Sequence, residues 1–218
     1  MFDLDGTLVD TAPDLIGALN VVLEEERLPP VPADAARRLV GRGAATMFQR
    51  SFALAQAPWQ DARETALVER FVEVYLERLT RESRIFPGVE AALDALRAEG
   101  ARFAVCTNKR TDLSVALLQN LGIARRFEAI VGADLAPRRK PDPSHLLATL
   151  VAAGGRPERA VMVGDSEADI GAARAARVPS IAVSFGYCDG PVEALGADAL
   201  IHDFAELASA AARLLDGG

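Results

Sequence analysis

Two carboxylates near the start of the chain carry the first chemical signal. Asp3 and Asp5 lie two positions apart, with Leu4 between them, and are followed by Gly6 and Thr7. Asp is unfavourable inside a strand but suits its carboxyl end, where open α/β sheets bind ligands. The pair could therefore serve as nucleophile and general acid, or as two ligands of one metal ion. Gly6 would let the backbone approach a bound anion and offer it an N–H.

A calcium loop and an ordinary solvated loop are the alternatives for this acidic turn. A calcium-binding loop that starts at Asp3 would need glycine at its sixth position and usually glutamate at its twelfth, where this chain has Leu8 and Asp14. Calcium is therefore disfavoured. A solvated loop stays open for the turn by itself, so the chemical interpretation depends on matching groups at other strand ends.

The composition indicates a globular protein with one large domain, or one domain and an insertion. The 218 residues are 50% hydrophobic and carry a formal net charge of −7. This acidic balance argues against nucleic acid or an anionic membrane as the main partner. No apolar run approaches the roughly 18 residues of a membrane span, and no signal peptide precedes the first motif. We therefore expect a cytoplasmic protein. The sequence leaves open whether it is a monomer or a homodimer.

The cysteines and the start of the chain bear on compartment and length. Two cysteines give no disulfide framework, which fits a reducing compartment. Cys106 lies in an apolar stretch and is expected to be a buried small hydrophobic residue, whereas Cys188 lies in a loop. The first strand has only Met1 and Phe2 before Asp3, although strands usually have about five or six residues. Two interpretations stay open: either the native chain begins upstream of Met1, or its central strand is unusually short.

The segment 13–83 shows helical periodicity almost throughout. Pro13 suits the first turn of a helix, and Pro58 is predicted to begin a longer one. No strand is predicted here, so the segment is interpreted as a helical unit inserted after the first strand. The predicted helices cover 13–28, 33–40, the residues around 47–52, and a long helix that starts at 58. The predicted buried positions are Leu15, Ile16, Leu19, Val22 and Leu23 in the first of these helices, and Leu67, Val68, Phe71, Val74, Tyr75 and Leu79 in the last.

From residue 85 onward, short apolar strands alternate with helices of about ten residues. This alternation predicts a Rossmann-like α/β fold with a doubly wound parallel sheet. The predicted strands are 102–107, 129–132, 160–163, 180–183 and 199–201. The predicted helices are one that opens at 87–88 and ends at 99, then 112–120, 144–153, one that ends near 177, and 203–215.

Polar groups follow the predicted strands at the sheet edge where such folds bind ligands. Thr107 and Asn108 end one predicted strand, and Asp165 and Asp169 follow another. Lys140, one of two lysines in the chain, lies in a loop that enters the same edge. Taken alone, this lysine would be interpreted as an exposed charge.

Together these groups meet the needs of phosphoryl transfer. A carboxylate attacks phosphorus, a metal ion neutralises the phosphoryl oxygens, and a cation and N–H donors hold the transferring group in line. Asp3, Asp5 and Asp165 would supply oxygen ligands for octahedral Mg²⁺. Without a metal ion or a lysine, the carboxylates would repel a phosphate dianion strongly. This repulsion is the reason to expect Mg²⁺.

Four motifs contain these polar groups. They are Phe2-Asp3-Leu4-Asp5-Gly6-Thr7-Leu8-Val9-Asp10, Cys106-Thr107-Asn108-Lys109, Arg139-Lys140-Pro141-Asp142-Pro143 and Val163-Gly164-Asp165-Ser166-Glu167-Ala168-Asp169-Ile170. The four motifs resemble those of the haloacid dehalogenase-like superfamily, and within it the chain is most similar to bacterial phosphoglycolate phosphatases. The resemblance implies a helical cap inserted after the first motif. It thereby implies an α/β phosphatase core at 1–12 and 84–218 and a cap at 13–83.

The resemblance also implies a role for each matching residue. Asp3 would be the nucleophile that forms an aspartyl-phosphate, and Asp5 would protonate the leaving alkoxide and then activate water. Mg²⁺ would be held by Asp3, the backbone carbonyl of Asp5 and Asp165, with Asp169 as a direct or water-mediated helper. The implied phosphate ligands are Thr107, the amide of Asn108 and Lys140.

The implied activity is Mg²⁺-dependent hydrolysis of a small phosphorylated metabolite, with 2-phosphoglycolate as the first candidate. A dehalogenase is disfavoured because Asp5 is present, and a phosphonoacetaldehyde hydrolase is excluded because residues 1–108 contain no lysine for a Schiff base. A phosphosugar phosphatase or a hexose-phosphate mutase of the same superfamily stays open, because the motifs are shared. A non-catalytic binding protein is the alternative from another class.

The predicted cap contains one loop of special interest. Gly41-Arg42-Gly43 resembles the glycine-bearing cap loop of phosphoglycolate phosphatases. Since a cap that closes over the phosphate meets the leaving group, substrate choice is expected to lie there. Arg42 or the loop amides would then bind the glycolate carboxylate. A solvent-facing arginine in a turn is the alternative for Arg42.

Overall fold

The computed structural model describes residues 1–41 and 43–216. The chain divides into two compact units. Met1–Asp10 and Ile85–Gly218 form the first, here called the α/β unit, and Thr11–Arg84 forms the second, here called the helical unit. Within the described residues, no helix has both the length and the apolar character needed to cross a membrane.

The sheet of the α/β unit is parallel and is completed by the very first residues of the chain. Phe2 bridges in parallel to Val105 on one side and to Val163 on the other. The predicted first strand is therefore central, although a single residue makes both bridges. The strands are β1 (Val9–Asp10), β2 (Arg84–Ile85), β3 (Ala104–Cys106), β4 (Ala129–Val131), β5 (Met162–Gly164), β6 (Ser180–Val183) and β7 (Ala199–Ile201). β1 and β2 form a separate two-stranded sheet, and the others follow the order β4-β3 on one side of Phe2 and β5-β6-β7 on the other.

The strands after residue 100 were predicted at the right places, but three of them are shorter than predicted. The strand predicted at 102–107, for example, is paired only at Ala104–Cys106, which matches Ala129–Val131 of β4 residue for residue. On its other side, β3 is bridged by Phe2 of the central segment. The pattern missed β1 and β2, because two-residue strands carry no periodicity.

Helices cover the sheet and close its core. Helix α5 (Val89–Ala98) packs against α9 (Leu207–Asp216), and α7 (Pro143–Ala152) packs against α8 (Glu167–Ala176). The cluster between α7, α8 and the sheet includes the fully buried Cys106, Leu146 and Met162, and Cys106 is thus the buried hydrophobic residue that was predicted. Continuous apolar strands of this kind are typical of a parallel sheet covered on both faces. The predicted doubly wound, Rossmann-like α/β fold is confirmed. The helices are α5 (Val89–Ala98), α6 (Thr111–Asn120), α7 (Pro143–Ala152), α8 (Glu167–Ala176) and α9 (Leu207–Asp216).

The helical unit contains the predicted helices with two corrected boundaries. The first helix ends at Glu25 rather than at residue 28, because Arg27 adopts a positive φ of 60° and the Leu28 N–H turns back to the Leu23 carbonyl. The long helix begins at Glu64 rather than at residue 58. The helices are α1 (Ala12–Glu25), α2 (Ala33–Leu39), α3 (Ala44–Leu54) and α4 (Glu64–Arg78).

The late start of α4 has a local cause. Residues 58–60 are not helical, and Asp61–Arg63 form a 3₁₀ turn. Trp59 donates its indole N–H to Asp61 at 2.8 Å, and its ring packs edge-on against Phe52 with centroids 5.3 Å apart. These contacts hold the segment before α4 in a turn.

The core of the helical unit follows the predicted apolar stripes. The five predicted positions in α1 are all buried, and so are Leu67, Phe71, Val74, Tyr75 and Leu79. Val68 is only partly buried, so the prediction was wrong at this position. Asp14 is fully buried in α1 and accepts hydrogen bonds from the N–H groups of Glu82 and Ser83 at 2.9 and 2.8 Å. Asp14, which occupies the position where a calcium-binding loop usually has glutamate, thus connects the beginning of the helical unit to its end.

Candidate active site

Three predicted site residues follow strands that are neighbours in the sheet. Asp3 follows Phe2, Thr107 follows β3 and Asp165 follows β5. Because Phe2 pairs in parallel with residues of both β3 and β5, the three side chains reach the same edge of the sheet. The position of Asp3 is fixed by its own backbone, since its N–H donates to the Val163 carbonyl at 2.9 Å.

Lys140 lies inside this edge and not on the surface. Its side chain is 1% exposed, its Nζ lies 3.0 Å from Asp3 Oδ1, and it donates to Asp169 Oδ1 at 2.6 Å. It also donates to the Cys106 carbonyl at 2.5 Å. The isolated lysine, which alone was interpreted as exposed, is therefore a buried cation between two carboxylates.

Asn108 places the loop that carries Lys140. Its side-chain amide donates to the Lys140 carbonyl at 3.0 Å and accepts from the Lys140 N–H at 2.9 Å. Both functional atoms of the Asn108 side chain are thus used to hold the lysine backbone. This use was not foreseen, because the pairing joins residues 32 positions apart.

Asp165 and Asp169 are each fixed by hydrogen bonds to both of their oxygens. Asp165 accepts from the Tyr187 N–H at 2.6 Å and from the Thr7 hydroxyl at 3.3 Å. The second oxygen of Asp169 accepts from the N–H and the hydroxyl of Ser166, at 3.0 and 2.6 Å. Donors of this kind orient carboxylates that bind a metal ion.

The acidic cluster fits a divalent cation. Asp3, Asp165 and Asp169 each offer an oxygen atom, and these atoms lie within 4.8 Å of one another. All three groups are largely shielded from water, and Lys140 is the cation in contact with two of them. Asp3 Oδ1 receives no well-directed hydrogen bond, although it is buried. Carboxylate oxygens are the ligands that Mg²⁺ prefers, so the residues present suit this ion.

The pKa values report the same excess of negative charge. Burial raises the pKa of the Asp3 carboxyl to about 6; Lys140 opposes this shift, whereas Asp169 and Asp5 add to it. Burial, together with Asp169 and Asp3, raises the pKa of Asp165 well above its ordinary value. Burial alone would lower the pKa of Lys140, but Asp169 and Asp3 outweigh it and raise that pKa. The carboxylates therefore hold more negative charge than one lysine balances.

Asp5 lies in the turn after Asp3 and is paired with the other lysine of the chain. Lys109 Nζ donates to Oδ1 and Oδ2 of Asp5 at 3.0 and 3.2 Å. The side chains of the pair are 6% and 13% exposed, respectively. The sequence placed Lys109 inside a motif but gave it no role.

Gly6 is required by a close approach of its backbone to the site. Its φ is +83°, and a Cβ added there would lie 2.4 Å from Asp165 Oδ2 and 2.8 Å from the Tyr187 ring. The Gly6 N–H donates to the Val9 carbonyl at 2.9 Å, so it is used within the turn. The sequence predicted that this N–H would bind an anion, but here it donates to a backbone carbonyl. The substrate-binding role of Gly6 stays a prediction.

Thr107 and Arg42 are the two remaining site residues that the sequence predicted. Thr107 is 1% exposed, and its hydroxyl accepts from the Lys109 N–H at 3.2 Å. Arg42 lies outside the described residues. Tyr187 and Thr7, which orient Asp165, were not singled out, because Tyr187 belongs to no motif and Thr7 contacts Asp165 across 158 positions.

The fold and the site together indicate the class of protein to which the chain belongs. A doubly wound α/β sheet whose carboxyl edge carries a buried lysine within an acidic cluster is an arrangement suited to phosphoryl transfer. The family model for haloacid dehalogenase-like hydrolases matches residues 1–183. The chain belongs to this family and is an enzyme of the phosphoric monoester hydrolase type.

Individual proteins that are similar to this chain have more specific names than the family. A phosphoglycolate phosphatase of Caulobacter vibrioides is 54% identical over 214 residues, which cover 98% of this chain and 90% of that protein. A phosphoglycolate phosphatase of Agrobacterium fabrum is 49% identical over 210 residues, covering 96% and 90%. The crystal structure of a predicted phosphoglycolate phosphatase from Haemophilus somnus superposes with a TM-score of 0.89 at 31% identity, covering 96% of this chain and 95% of that one.

Proposed function

We propose that this enzyme hydrolyses 2-phosphoglycolate in a Mg²⁺-dependent reaction that passes through an aspartyl-phosphate on Asp3. The observation that carries the proposal is the convergence of Asp3, Lys140, Asp165 and Asp169 at one edge of the sheet. The phosphoglycolate phosphatases with 54% and 49% identity support the choice of substrate. The residue roles below are those that the family resemblance implies.

In the first step, an oxygen of Asp3 attacks phosphorus and the ester P–O bond breaks. Lys140, beside Asp3, binds the transferring phosphoryl group together with Thr107 and the backbone N–H of Asn108. Asp5 gives its proton to the leaving alkoxide oxygen, so that glycolate departs with a neutral hydroxyl group. Asp3 then carries the phosphoryl group.

In the second step, Asp5 is a carboxylate and takes a proton from water. The resulting hydroxide oxygen attacks phosphorus, the bond to Asp3 breaks, and inorganic phosphate leaves. Asp3 is restored as a carboxylate and Asp5 as an acid. One residue can thus serve both steps because it is protonated in the first and ionised in the second.

Asp3, the Asp5 carbonyl and Asp165 would hold Mg²⁺, with Asp169 as a direct or water-mediated helper. When bound, the ion supplies positive charge for the phosphoryl oxygens. The fit rests on the buried Asp3 oxygen without a well-directed hydrogen bond and on the three oxygens within 4.8 Å of one another.

The division of labour along the chain is part of the proposal. We assign the phosphatase core to residues 1–12 and 84–218 and a substrate-selecting cap to residues 13–83. Arg42, or the amides of its loop, would bind the glycolate carboxylate. A cap that supplies this contact would explain how a common phosphoryl-transfer site selects one small monophosphate.

Phosphate release from 2-phosphoglycolate, hexose phosphates, nucleotides and p-nitrophenyl phosphate, measured with Mg²⁺ and with EDTA, tests the proposal. We expect 2-phosphoglycolate to have the highest kcat/KM and EDTA to abolish turnover. Asp3→Asn should remove turnover while the circular dichroism spectrum stays that of the wild type. Appreciable residual hydrolysis by Asp3→Asn would rule out Asp3 as the nucleophile.

The same panel separates the alternatives. Interconversion of hexose-phosphate isomers without release of phosphate would identify a mutase, and a hexose phosphate as the preferred hydrolysed substrate would identify a phosphosugar phosphatase. Binding of phosphate esters without turnover of any of them would identify a non-catalytic protein.

A further inference from the structure

The ion pair between Lys109 and Asp5 differs from a surface ion pair in its contacts and in its burial. One ammonium nitrogen reaches both carboxylate oxygens, at 3.0 and 3.2 Å, and the two side chains are 6% and 13% exposed. Exposed ion pairs restrain side chains only weakly, because water screens the charges and both side chains stay mobile. Shielding from water strengthens the attraction, so the contact of one ammonium group with both oxygens restrains the orientation of the Asp5 carboxylate.

Lys109 reaches Asp5 from a backbone that is itself held. The Lys109 N–H donates to the Thr107 hydroxyl at 3.2 Å, and its carbonyl accepts from the Ala133 N–H at 3.1 Å. Gly132 packs directly beneath, since a Cβ added there would lie 2.4 Å from the Lys109 carbonyl oxygen. The segment after β3 is thus tied to the segment after β4, and it presents the lysine from a fixed base.

We propose that Lys109 is a positioning residue, which holds the Asp5 carboxyl group in the orientation that proton transfer to the leaving oxygen needs. This inference rests on the proposed function, because that function gives Asp5 its acid–base role. A general acid must lie within hydrogen-bond reach of the atom it protonates. A displacement of about 1 Å can cost on the order of a hundredfold in rate.

The leaving group provides a readout that a purely structural role would not move. An alkoxide needs a proton in order to leave, whereas p-nitrophenolate leaves without one. We expect Lys109→Met to lower kcat/KM for 2-phosphoglycolate and for ethyl phosphate at least about tenfold more than for p-nitrophenyl phosphate, since general acid catalysis contributes about 10²-fold or more. The KM for 2-phosphoglycolate should change little compared with kcat.

The neighbouring cation supplies the matched control. Arg110 pairs with Asp112 at 2.7 Å, and its side chain is 57% exposed. Arg110→Met removes the same charge from the same loop and should change kcat/KM less than about twofold for all three substrates, as is usual for exposed pairs. Lys109→Gln replaces Lys109→Met should the latter lack the wild-type circular dichroism spectrum.

A second measurement asks whether Lys109 acts through Asp5. Asp5→Asn cannot hydrolyse the aspartyl-phosphate, so p-nitrophenyl phosphate should give one stoichiometric burst of p-nitrophenolate. If Lys109 acts through Asp5, adding Lys109→Met to Asp5→Asn leaves the burst rate unchanged, because the effects of coupled residues do not add.

Three results would overturn the inference. They are an equal loss for all substrates, a slower burst in the double variant, or a loss confined to 2-phosphoglycolate, which would make Lys109 a ligand of the substrate carboxylate. Failure of the proposed function is distinct from these. It would appear as a wild-type enzyme inactive on 2-phosphoglycolate, while ethyl phosphate and the burst still test Lys109.

Discussion

Asp3 illustrates how a residue that we propose as the nucleophile can be costly for folding. Its pKa in the folded protein is about 6, against an ordinary value of 3.8, chiefly because the carboxyl group is buried. A raised folded pKa stabilises the protein below the unfolded pKa, and this contribution is lost as the pH rises through the folded pKa. In EDTA, we therefore expect Asp3 to lower the free energy of unfolding between about pH 4 and pH 7.

This cost can be measured with Asp3→Asn, which removes the titration. In urea unfolding with EDTA, the variant should gain on the order of 1–3 kcal/mol relative to the wild type between about pH 4 and pH 7, where one pKa unit corresponds to about 1.4 kcal/mol. Glu158→Gln, at an exposed carboxylate, should show no such trend. A constant difference between Asp3→Asn and the wild type over this range would contradict the prediction.

At the same scale, the sequence identified side chains by type and place but not their partners. Asp3, Lys140, Asp165 and Asp169 could be predicted to meet, because parallel strands bring their carboxyl ends to one edge. The burial of Lys140 could not be predicted, since it depends on Asn108, which holds its backbone from 32 positions away. The pairing of Lys109 with Asp5 likewise spans 104 positions, and no local pattern encodes it.

At the scale of elements, the turn between Phe2 and β1 has to bring a backbone against a carboxylate. Gly6 combines a φ of +83° with a neighbour, Asp165 Oδ2, only 2.4 Å from where a Cβ would be. Gly6→Ala should therefore displace Asp165 and reduce kcat/KM by about a hundredfold, the loss typical of a 1 Å misplacement. This displacement would disturb the hydrogen bond that the Tyr187 N–H donates to the same oxygen at 2.6 Å.

The substitution Gly122→Ala is a control that separates the steric effect of an added Cβ from the effect of backbone strain. Its φ of +78° is close to that of Gly6, but a Cβ there would meet no atom within 4 Å. Gly122→Ala should lower stability by about 1 kcal/mol through its positive φ and leave kcat/KM near the wild-type value. Equal losses of kcat/KM in the two variants, measured under saturating Mg²⁺, would show that the intrusion on Asp165 has no effect.

The predictability of elements depended on their length. Helices α1 and α7 and the longer strands could be predicted from periodicity, whereas β1 and β2 have two residues each and no recognisable pattern. The start of α4 was misplaced, because Pro58 has the properties of a helix start and the contacts of Trp59 override them. Local preference thus failed where a side-chain contact decided the turn.

At the scale of the whole molecule, a chain with a net charge of −7 concentrates buried carboxylates at one edge of its sheet. Burial raises the pKa values of Asp3 and Asp165, so both ionise at a free-energy cost when no further cation is bound. A ligand that binds the folded state alone stabilises it, by about 2.7 kcal/mol at a hundred times its Kd. Mg²⁺ should therefore raise the thermal unfolding midpoint of the wild type.

Asp165→Asn tests this linkage without reference to activity. The substitution removes one negative charge and keeps a side chain that can accept from the Tyr187 N–H. At neutral pH, we expect the variant in EDTA to be at least as stable as the wild type and to show little increase in its unfolding midpoint with Mg²⁺, whereas Glu158→Gln should respond like the wild type. For a chain of this size, about 2.7 kcal/mol corresponds to roughly 5–10 °C, which differential scanning calorimetry resolves. A Mg²⁺-induced increase of the same size in Asp165→Asn would place the cation elsewhere and remove Asp165 from the metal site.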